Sequence, residues 1–329
     1  MTPKPSLRAY SEAQLYPSAD GYADAVRAFY APDAAINVVH PFNDVAGAEA
    51  YVTDVLGSLH SAFDGLNRAD YIAFGGRFED AEWVTCTGYY AGTFNRPWLG
   101  IRPTGAVAHL RFGEFHRMEN GQAVESYIFF DIPALMITTG QWPITDSPGQ
   151  KRGFTGFLPG PARQDGLVWG DSDPARSAQS LTAVYDMLQG LATEDEAWRP
   201  YWHENMAWYG PAAFGAFLGI EDFGSFQVPF EQTFSEWIGG SKPGSLTKHF
   251  TRFGDGDYVC SGGWPSLNAV QVKPFLGQPA KGERLFMRVC DWWRMDGDLL
   301  VENWVFVDIP HVLLQMGYDV FAEIAQEAT

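Results

Sequence analysis

The stretch ESYIFFDIP at Glu125–Pro133 returns as ENWVFVDIP at Glu302–Pro310, at an offset of 177 residues. Shorter matches continue upstream, namely PWLG at 97–100 with PFLG at 274–277, and RF at 77–78 with RF at 252–253. The offset changes only where loops are expected. A repeat of this kind indicates two copies of one domain, and 329 residues suit two domains of ordinary size.

The ends of the two copies follow from the repeat. We predict copy one over residues 1–140, a linker over 141–176 and copy two over 177–329. The linker is crowded with Gly and Pro, which is typical of segments without regular structure. It also contains large apolar residues that predict packing across the domains, namely Trp142, Phe154, Phe157, Leu158 and Trp169.

Hydrophobic periodicity changes in the same order in both copies. Helical spacing covers 22–29 and 47–63 in copy one and 177–191 and 220–237 in copy two, with Asp173-Pro174 as a helix start. Strand-like runs follow at 71–74, 83–90, 107–118 and 123–132, and at 247–253, 258–264, 285–295 and 299–309. Asn120-Gly121 and Asp296-Gly297 predict the last hairpin turns. Helices followed by antiparallel strands indicate an α+β fold.

Composition excludes several classes of partner. Forty acidic and 22 basic side chains give a net charge of −18, so nucleic acid and anionic membranes would be repelled. The three cysteines Cys86, Cys260 and Cys290 are scattered, which predicts neither a disulfide framework nor a metal site. The N-terminal residues lack an apolar signal segment, and no stretch has the apolar length of a membrane helix, so a cytoplasmic protein is expected.

The end of each copy resembles the signature of the SnoaL-like polyketide cyclases of the nuclear transport factor 2-like superfamily. The shared pattern is a glycine at Gly105 or Gly282, a long strand that ends in Arg at the turn, and then E-x-[aromatic]-x-x-x-D. SAFD at 61–64 stands where the family usually shows AFPD, and copy two departs through a longer insertion at 235–246. The likeness covers nearly the whole chain apart from the linker.

The resemblance implies a tandem duplication of a cone-shaped, cystatin-like α+β domain. Each copy would have a curved antiparallel sheet wrapped around helices and a deep hydrophobic cavity. It also implies a carboxylate on the last strand that acts as general acid/base in an intramolecular aldol cyclisation, which by motif position is Asp131 in copy one and Asp308 in copy two. No metal or organic cofactor is implied.

The residues of the last strand support this interpretation by themselves. The two-residue period places a row of aromatics and two carboxylates on one face, namely Glu125, Tyr127, Phe129 and Asp131, and correspondingly Glu302, Trp304, Phe306 and Asp308. If the row lines a cavity, desolvation raises the carboxyl pKa and permits proton exchange near neutral pH. We therefore expect both aspartates to be catalytic and the four aromatics to bind substrate. A simpler interpretation is that the aspartate before Ile-Pro caps the end of the strand.

The partner of Asp131 depends on the hairpin register, which leaves two alternatives. A three-residue loop pairs His109 with Asp131 and makes His109 a catalytic partner. A two-residue loop pairs Glu114 with Tyr127 and turns His109 to the opposite face. Because the family more often shows an acidic or His residue at the place of Glu114 and Asp291, both are candidate substrate-binding residues.

The two copies differ in their candidate chemistry. His109 has Phe286 as its counterpart, so copy one is expected to be chemically richer. His40, beside Pro41, is a further candidate substrate-binding residue at the cavity mouth. Arg111 and Arg288 occupy equivalent places in long strands and are expected to form structural ion pairs with nearby carboxylates, which are Glu125 or Glu114 and Glu302 or Asp291.

Three functional hypotheses result. The first is a cyclase-type enzyme that uses a cavity carboxylate on a hydrophobic ketone or ester. The second is another cofactor-free lyase or isomerase, of dehydratase or ketosteroid-isomerase type, because a fold and one carboxylate do not determine the reaction. The third is a non-catalytic module that binds a small hydrophobic ligand. Related single domains commonly pair sheet to sheet, so the two copies are expected to form a pseudo-dimer within the chain.

Overall fold

The computed structural model describes residues 3–18, 20–153, 157–193, 195–239 and 248–326. This part of the chain divides into two compact units. The first comprises the described residues of Met1–Pro143, Thr155–Gly170 and Asp319–Thr329, and the second those of Ile144–Phe154 and Asp171–Tyr318. The segment predicted as a linker is therefore divided between the units. Its Phe154 lies outside the described residues.

The first unit begins with two helices and then forms a six-stranded sheet. Its helices are α1 (Lys4–Ala13), α2 (Gly21–Phe29), α3 (Gly47–Ala50), α4 (Gly57–Ala62) and α5 (Ile132–Thr138), with a π-helical segment at Tyr51–Leu56. Its strands are β1 (Tyr30–Val38), β2 (Asn43–Ala46), β3 (Phe63–Phe78), β4 (Ala81–Phe94), β5 (Val107–Glu119) and β6 (Gln122–Phe130). The strand order is β2-β1-β6-β5-β4-β3, and only β1 and β6 pair in parallel.

The second unit repeats this plan. Its helices are α6 (Pro148–Lys151), α7 (Pro174–Gln189), α8 (Ile220–Glu231) and α9 (Ile309–Gln315), with a 3₁₀ turn at Arg199–Tyr201. Its strands are β7 (Trp202–Tyr209), β8 (Ala216–Leu218), β9 (Phe234–Gly239), β10 (His249–Asp255), β11 (Tyr258–Gln271), β12 (Arg284–Asp296) and β13 (Leu299–Val307). The order is β10-β11-β12-β13-β7-β8, and β9 pairs with β11. The last helix, α10 (Val320–Gln326), belongs to the first unit.

Because both units share one order of elements and one sheet topology, the chain is a tandem duplication of an α+β domain. The predicted start of α7 is confirmed, since the Asp173 carboxylate accepts the N–H of Ala175 over 2.9 Å. Among the described residues, no helix combines the length and apolarity required to cross a membrane.

Two features of the sheets differ from the sequence prediction. The first strand of each sheet was not predicted, and its parallel pairing with the last long strand makes the sheet mixed rather than antiparallel. In β1 the sequence YAPDAAINV carries Pro and Asp instead of alternating β-branched residues, so periodicity does not reveal it. The predicted helix over 220–237 ends at Glu231, and β9 replaces its last turns. Most of β9 lies in the insertion predicted at 235–246, and residues 240–247 lie outside the described residues.

The hairpin between β5 and β6 has neither of the two predicted registers. Asn120 and Gly121 form a two-residue turn with φ of 51° and 83°, as a type I′ turn requires. A bulge at Val124 then shifts the pairing by one residue, so that Glu114 lies opposite Ile128. The backbone N–H of Asp131 donates to the carbonyl of Arg111 over 3.0 Å. The bulge therefore places Arg111, and not His109, beside Asp131.

The register also defines the two sides of each sheet. We call the side that carries Glu114 the inner face, because Phe29 of α2 packs there, with its ring 4.9 Å from that of His116. The equivalent position in copy two is Asp291, which has the same place on its strand. The other side, the outer face, carries Asp131 and its neighbours at alternate positions along β6.

Candidate active site

Asp131 and Asp308 lie on the outer face, where each is bound by an arginine of the neighbouring strand. Arg111 Nη2 donates to Asp131 Oδ2 over 3.2 Å, and Arg288 Nη1 donates to Asp308 Oδ2 over 3.0 Å. The sequence predicted other carboxylates as the partners, and the bulged register is the reason for the difference. Asp308 Oδ1 also accepts the backbone N–H of His311 over 3.2 Å; the simpler interpretation predicted a backbone hydrogen bond of this kind as a cap of the strand, and it caps the start of α9 instead. These contacts engage Oδ2 of Asp131 and both carboxylate oxygens of Asp308.

The aromatic row of the last strand shares this outer face. Tyr127 donates its hydroxyl to Glu125 Oε1 over 2.7 Å, and Phe129 is fully buried. In copy two, Trp304 packs against Tyr209 with ring centroids 5.4 Å apart. Phe306 packs against Trp292, which lies opposite Trp304, with ring centroids 5.8 Å apart. These side chains share one face of the last strand, as predicted, but that face is opposite to the one that borders the cavity of copy two described below.

The two predicted histidines pack against aromatic rings. His109 is paired opposite Ala91, and its ring packs edge-on against Tyr89 and Phe157 at 5.8 and 5.5 Å. Burial lowers the pKa of His109. The ring of His40 lies 5.6 Å from that of Phe321 in α10.

Glu114 is neutralised inside copy one. Arg68 binds both of its oxygens, over 3.0 and 2.8 Å, and His116 Nε2 lies 3.3 Å from Oε2. Burial alone would raise the pKa of Glu114, but Arg68 and His116 outweigh it and lower the pKa to about 2. Glu114 is therefore ionised at neutral pH, and Arg68 also donates to Asp70 over 2.9 Å.

Aromatic rings occupy the space over this pair. The Arg68 guanidinium lies 4.3 Å from the ring of Phe112 and 4.8 Å from that of Tyr10 in α1. Tyr10 in turn stacks on Phe29 at 4.4 Å. Cys86, Glu114 and His116 bring donor atoms within 4.8 Å of one another, yet both Glu114 oxygens already bind a guanidinium, which disfavours a metal cation there.

Copy two contains a cavity of about 320 Å³ at its inner face. Its wall consists mainly of apolar side chains from α7, α8 and the sheet, including Met187, Trp202, Trp208, Phe214, Phe223, Phe226, Phe230, Trp237, Met287, Val289, Trp293, Val305 and Val307. The polar side chains are fewer, and include Gln227, Glu231, His249, Arg252, Ser261, Asp291 and Asn303. An apolar cleft with a few convergent polar groups is the usual form of a small-molecule site.

Asp291 lies on this wall at the position that Glu114 holds in copy one. Its side chain is half-buried, because it borders the cavity. Asn303 Nδ2 lies 3.4 Å from Asp291 Oδ1, and no cation of the described residues is within ion-pair distance of the carboxylate. Loss of hydration inside the domain raises the pKa of Asp291 to about 7, although Asn303 and Arg252 act in the opposite direction. Asp291 can therefore take up or release a proton near neutral pH.

Arg252 and His249 of β10 form the second polar group of the cavity. Arg252 Nε donates to Ser261 Oγ, and Arg252 Nη2 lies 3.2 Å from His249 Nδ1. His249 Nε2 lies 3.2 Å from the carbonyl of Ser266, so Nε2 carries the proton and Nδ1 accepts. Burial, and secondly the charge of Arg252, lower the pKa of His249 to about 4, so it is neutral at pH 7.

Sequence reasoning named Asp291 only as a substrate-binding residue and missed Arg252. The RF match aligned Arg252 with Arg77, but strand pairing makes it equivalent to Ala73, because Ala73 lies opposite Cys86 and Arg252 opposite Ser261. Both hairpin turns have two residues, but the strand continues for five residues beyond Ala73 to Phe78 and for only three beyond Arg252 to Asp255, which displaces the alignment. The sequence difference that could have revealed the site is Arg252 in copy two at the position of Ala73 in copy one.

Comparison with known proteins gives structural likenesses only. No family model matches the sequence, and no curated relative is similar to it. IdmH from Streptomyces antibioticus, a candidate polyketide cyclase, is 19% identical, covers 43% of this chain and 99% of its own, and has a TM-score of 0.35. A candidate SnoaL-like polyketide cyclase from Jannaschia sp. CCS1 is 23% identical, with coverage of 42% and 89% and a TM-score of 0.34. A nuclear transport factor 2-like protein from Burkholderia thailandensis is 21% identical, with coverage of 44% and 99% and a TM-score of 0.32.

Proposed function

We propose that copy two is a cofactor-free acid/base enzyme of the lyase and isomerase class, in which Asp291 exchanges a proton with a hydrophobic carbonyl compound. One observation carries the proposal: a carboxylate on the wall of an aromatic cavity, with a pKa of about 7 and, within the described ranges, no cation at ion-pair distance. A general base is most effective when its pKa lies near the working pH. The proposal therefore assigns the acid/base role to Asp291 instead of Asp131 or Asp308, each of which is bound by an arginine on the outer face.

The chemistry that suits this site is removal of a proton from a carbon next to a carbonyl group. Asp291 takes the proton, and the electron pair moves onto the carbonyl oxygen as an enolate. In an intramolecular aldol cyclisation the enolate carbon then bonds to a second carbonyl carbon, and protonated Asp291 returns the proton to the new alkoxide. Isomerisation would return it to another carbon instead, and dehydration would expel a hydroxyl group as water. Asn303, which lies beside Asp291 on the same wall, supplies the donor for the oxygen that gains charge.

The ion pair and the rings at the inner face of copy one support a division of roles. The equivalent carboxylate there is bound by Arg68, and rings occupy the adjacent space. Copy one would therefore act as a structural partner, although its His109 made it the richer copy by sequence.

The test uses a small aromatic carbon acid that reports proton abstraction by colour, 5-nitrobenzisoxazole. A base removes its C–H proton, the N–O bond breaks and a coloured cyanophenolate forms. We expect saturable turnover that rises with pH through about 7, and a loss of at least about a hundredfold in Asp291→Asn. Asp298→Asn, which removes the same charge from an exposed turn of copy two, is the matched control and should retain full activity.

Two outcomes would contradict the proposal. Equal rates for wild type and Asp291→Asn would show that another group is the base. Saturable binding of the probe without turnover in any variant would assign the cavity to a ligand-binding module.

A further inference from the structure

The cavity of copy two holds a guanidinium whose hydrogen-bond partners among the described residues are the neutral side chains of Ser261 and His249. Arg252 donates to the hydroxyl of Ser261 and to the imidazole of His249, and its guanidinium carbon lies 5.4 Å from the centre of the Tyr185 ring. Within the described ranges, no carboxylate oxygen lies within ion-pair distance of Arg252. A partly buried cation without a counter-ion is unfavourable, and an anionic ligand group would relieve that cost.

His249 holds the Arg252 guanidinium in place but does not neutralise its charge, because the imidazole is itself neutral at pH 7. Its protonated Nε2 is committed to the Ser266 carbonyl, so Nδ1 remains the acceptor for Arg252. Ser261 fixes the guanidinium from the neighbouring strand through Nε. The guanidinium is thus held in place by two neutral side chains, and it borders the cavity.

The spacing of Arg252 and Asp291 suits one ligand that contacts both. Arg252 lies opposite Ser261, and Ser261 lies opposite Asp291, so the three form a row across β10, β11 and β12. Two strand spacings separate the outer members by roughly 10 Å, and all three side chains border the same cavity. A group anchored at Arg252 would therefore present carbons a few bonds away to Asp291.

We propose that Arg252 is an anion subsite and that the substrate is a hydrophobic carboxylate, bound by its COO⁻ group at Arg252 with its apolar body among the aromatic side chains. This inference rests on the proposed function, because it assigns the substrate of the same cavity. A guanidinium matches a planar carboxylate through two parallel hydrogen bonds. A phosphate would bring up to two negative charges to one cation, with Asp291 and Glu231 on the same wall, and is therefore disfavoured.

The test compares naphthalene-2-carboxylate with naphthalene-2-carboxamide by calorimetric titration at pH 6, where Asp291 is mostly protonated. The two ligands have nearly the same shape and differ in charge. We expect the wild type to bind the carboxylate at least about tenfold more tightly than the amide, which corresponds to one charge-assisted hydrogen bond. Arg252→Met should lose this preference while it still binds the amide, and Arg252→Lys should retain part of it. Arg176→Met, which removes an arginine paired with Asp257 at the surface, is the matched control.

Each outcome decides for or against the subsite. Equal affinity for the two ligands in the wild type, no carboxylate binding up to its solubility, or an unchanged preference in folded Arg252→Met would overturn it. Binding of the amide by Arg252→Met shows that the variant is folded. Asp291→Asn separates this proposal from the previous one, since it should lose proton transfer and still bind the carboxylate. If the protein transfers protons but shows no preference for the carboxylate, only the anion subsite is overturned. If it prefers the carboxylate but transfers no proton, only the proposed catalysis is overturned.

Discussion

Neutralising the inner-face carboxylate should change the stability of the two copies in opposite directions. Burial raises the pKa of Asp291 from its ordinary value of 3.8 to about 7. Between these values the folded protein keeps a proton that the unfolded chain releases, so the free energy of unfolding falls as the pH rises across this window. At about 1.4 kcal/mol per pKa unit, ionised Asp291 destabilises copy two by about 4 kcal/mol above pH 7. Asp291→Asn should recover up to this amount at pH 8 and almost none at pH 4.

The equivalent change in copy one has the opposite sign. The pKa of Glu114 falls from 4.5 to about 2, so its ionised form stabilises the fold above pH 4.5, and this contribution is lost as the pH falls through 2. Glu114→Gln removes it and leaves the buried guanidinium of Arg68 with Asp70 as its carboxylate partner, which should destabilise the protein by about 3 kcal/mol.

Differential scanning calorimetry of wild type, Asp291→Asn and Glu114→Gln at pH 4, 6 and 8 measures both changes. The variants are matched, because each replaces one carboxylate by its amide and removes one negative charge. Destabilisation by Asp291→Asn, a benefit that does not grow with pH, or stabilisation by Glu114→Gln would refute the account of the two sites.

Three further predictions concern the same features. The affinity of wild type for naphthalene-2-carboxylate should fall as the pH rises through about 7, because ionised Asp291 then opposes the charge of Arg252, whereas it should stay level in Asp291→Asn by calorimetric titration. Asp308→Asn should leave the turnover of 5-nitrobenzisoxazole unchanged but lower the free energy of unfolding by about 2–4 kcal/mol in urea denaturation, because it weakens the buried pair with Arg288 and the cap of α9. Asp173→Ala should destabilise by about 1 kcal/mol in the same assay, through loss of the α7 cap.

Part of the fold could be predicted because its signals are local. The type I′ turn at Asn120-Gly121 and the cap at Asp173 depend on a few neighbouring residues, and both are present as predicted. The first strand of each sheet was missed because its partner is the last long strand of the domain, more than ninety residues away for Trp202 and Leu300. Pairing with that distant partner holds the first strand in the sheet, so its own sequence does not have to alternate apolar and polar residues.

The candidate site was less predictable because one bulge reassigns a whole strand. The period of two along β6 placed Asp131 and Phe129 correctly on one face. The bulge at Val124 decided which face of the sheet these residues occupy. Because it shifts the pairing by one residue, every following position of β6 has a different partner on β5. The candidate base therefore moved from the last strand to Asp291 on the strand before it.

The sequence by itself determined the duplication, the α+β class and the hairpin at the end of each copy, since repeats, turns and periodicity are written in short segments. Only the tertiary structure decided that Asp291 borders a cavity in copy two and that its pKa lies near 7, while Glu114 is held by Arg68. Glu114 and Asp291 are equivalent along the chain, but Arg68 binds the first, while apolar walls desolvate the second. A pKa depends on the charges and burial around a group, and those are supplied by residues distant in sequence.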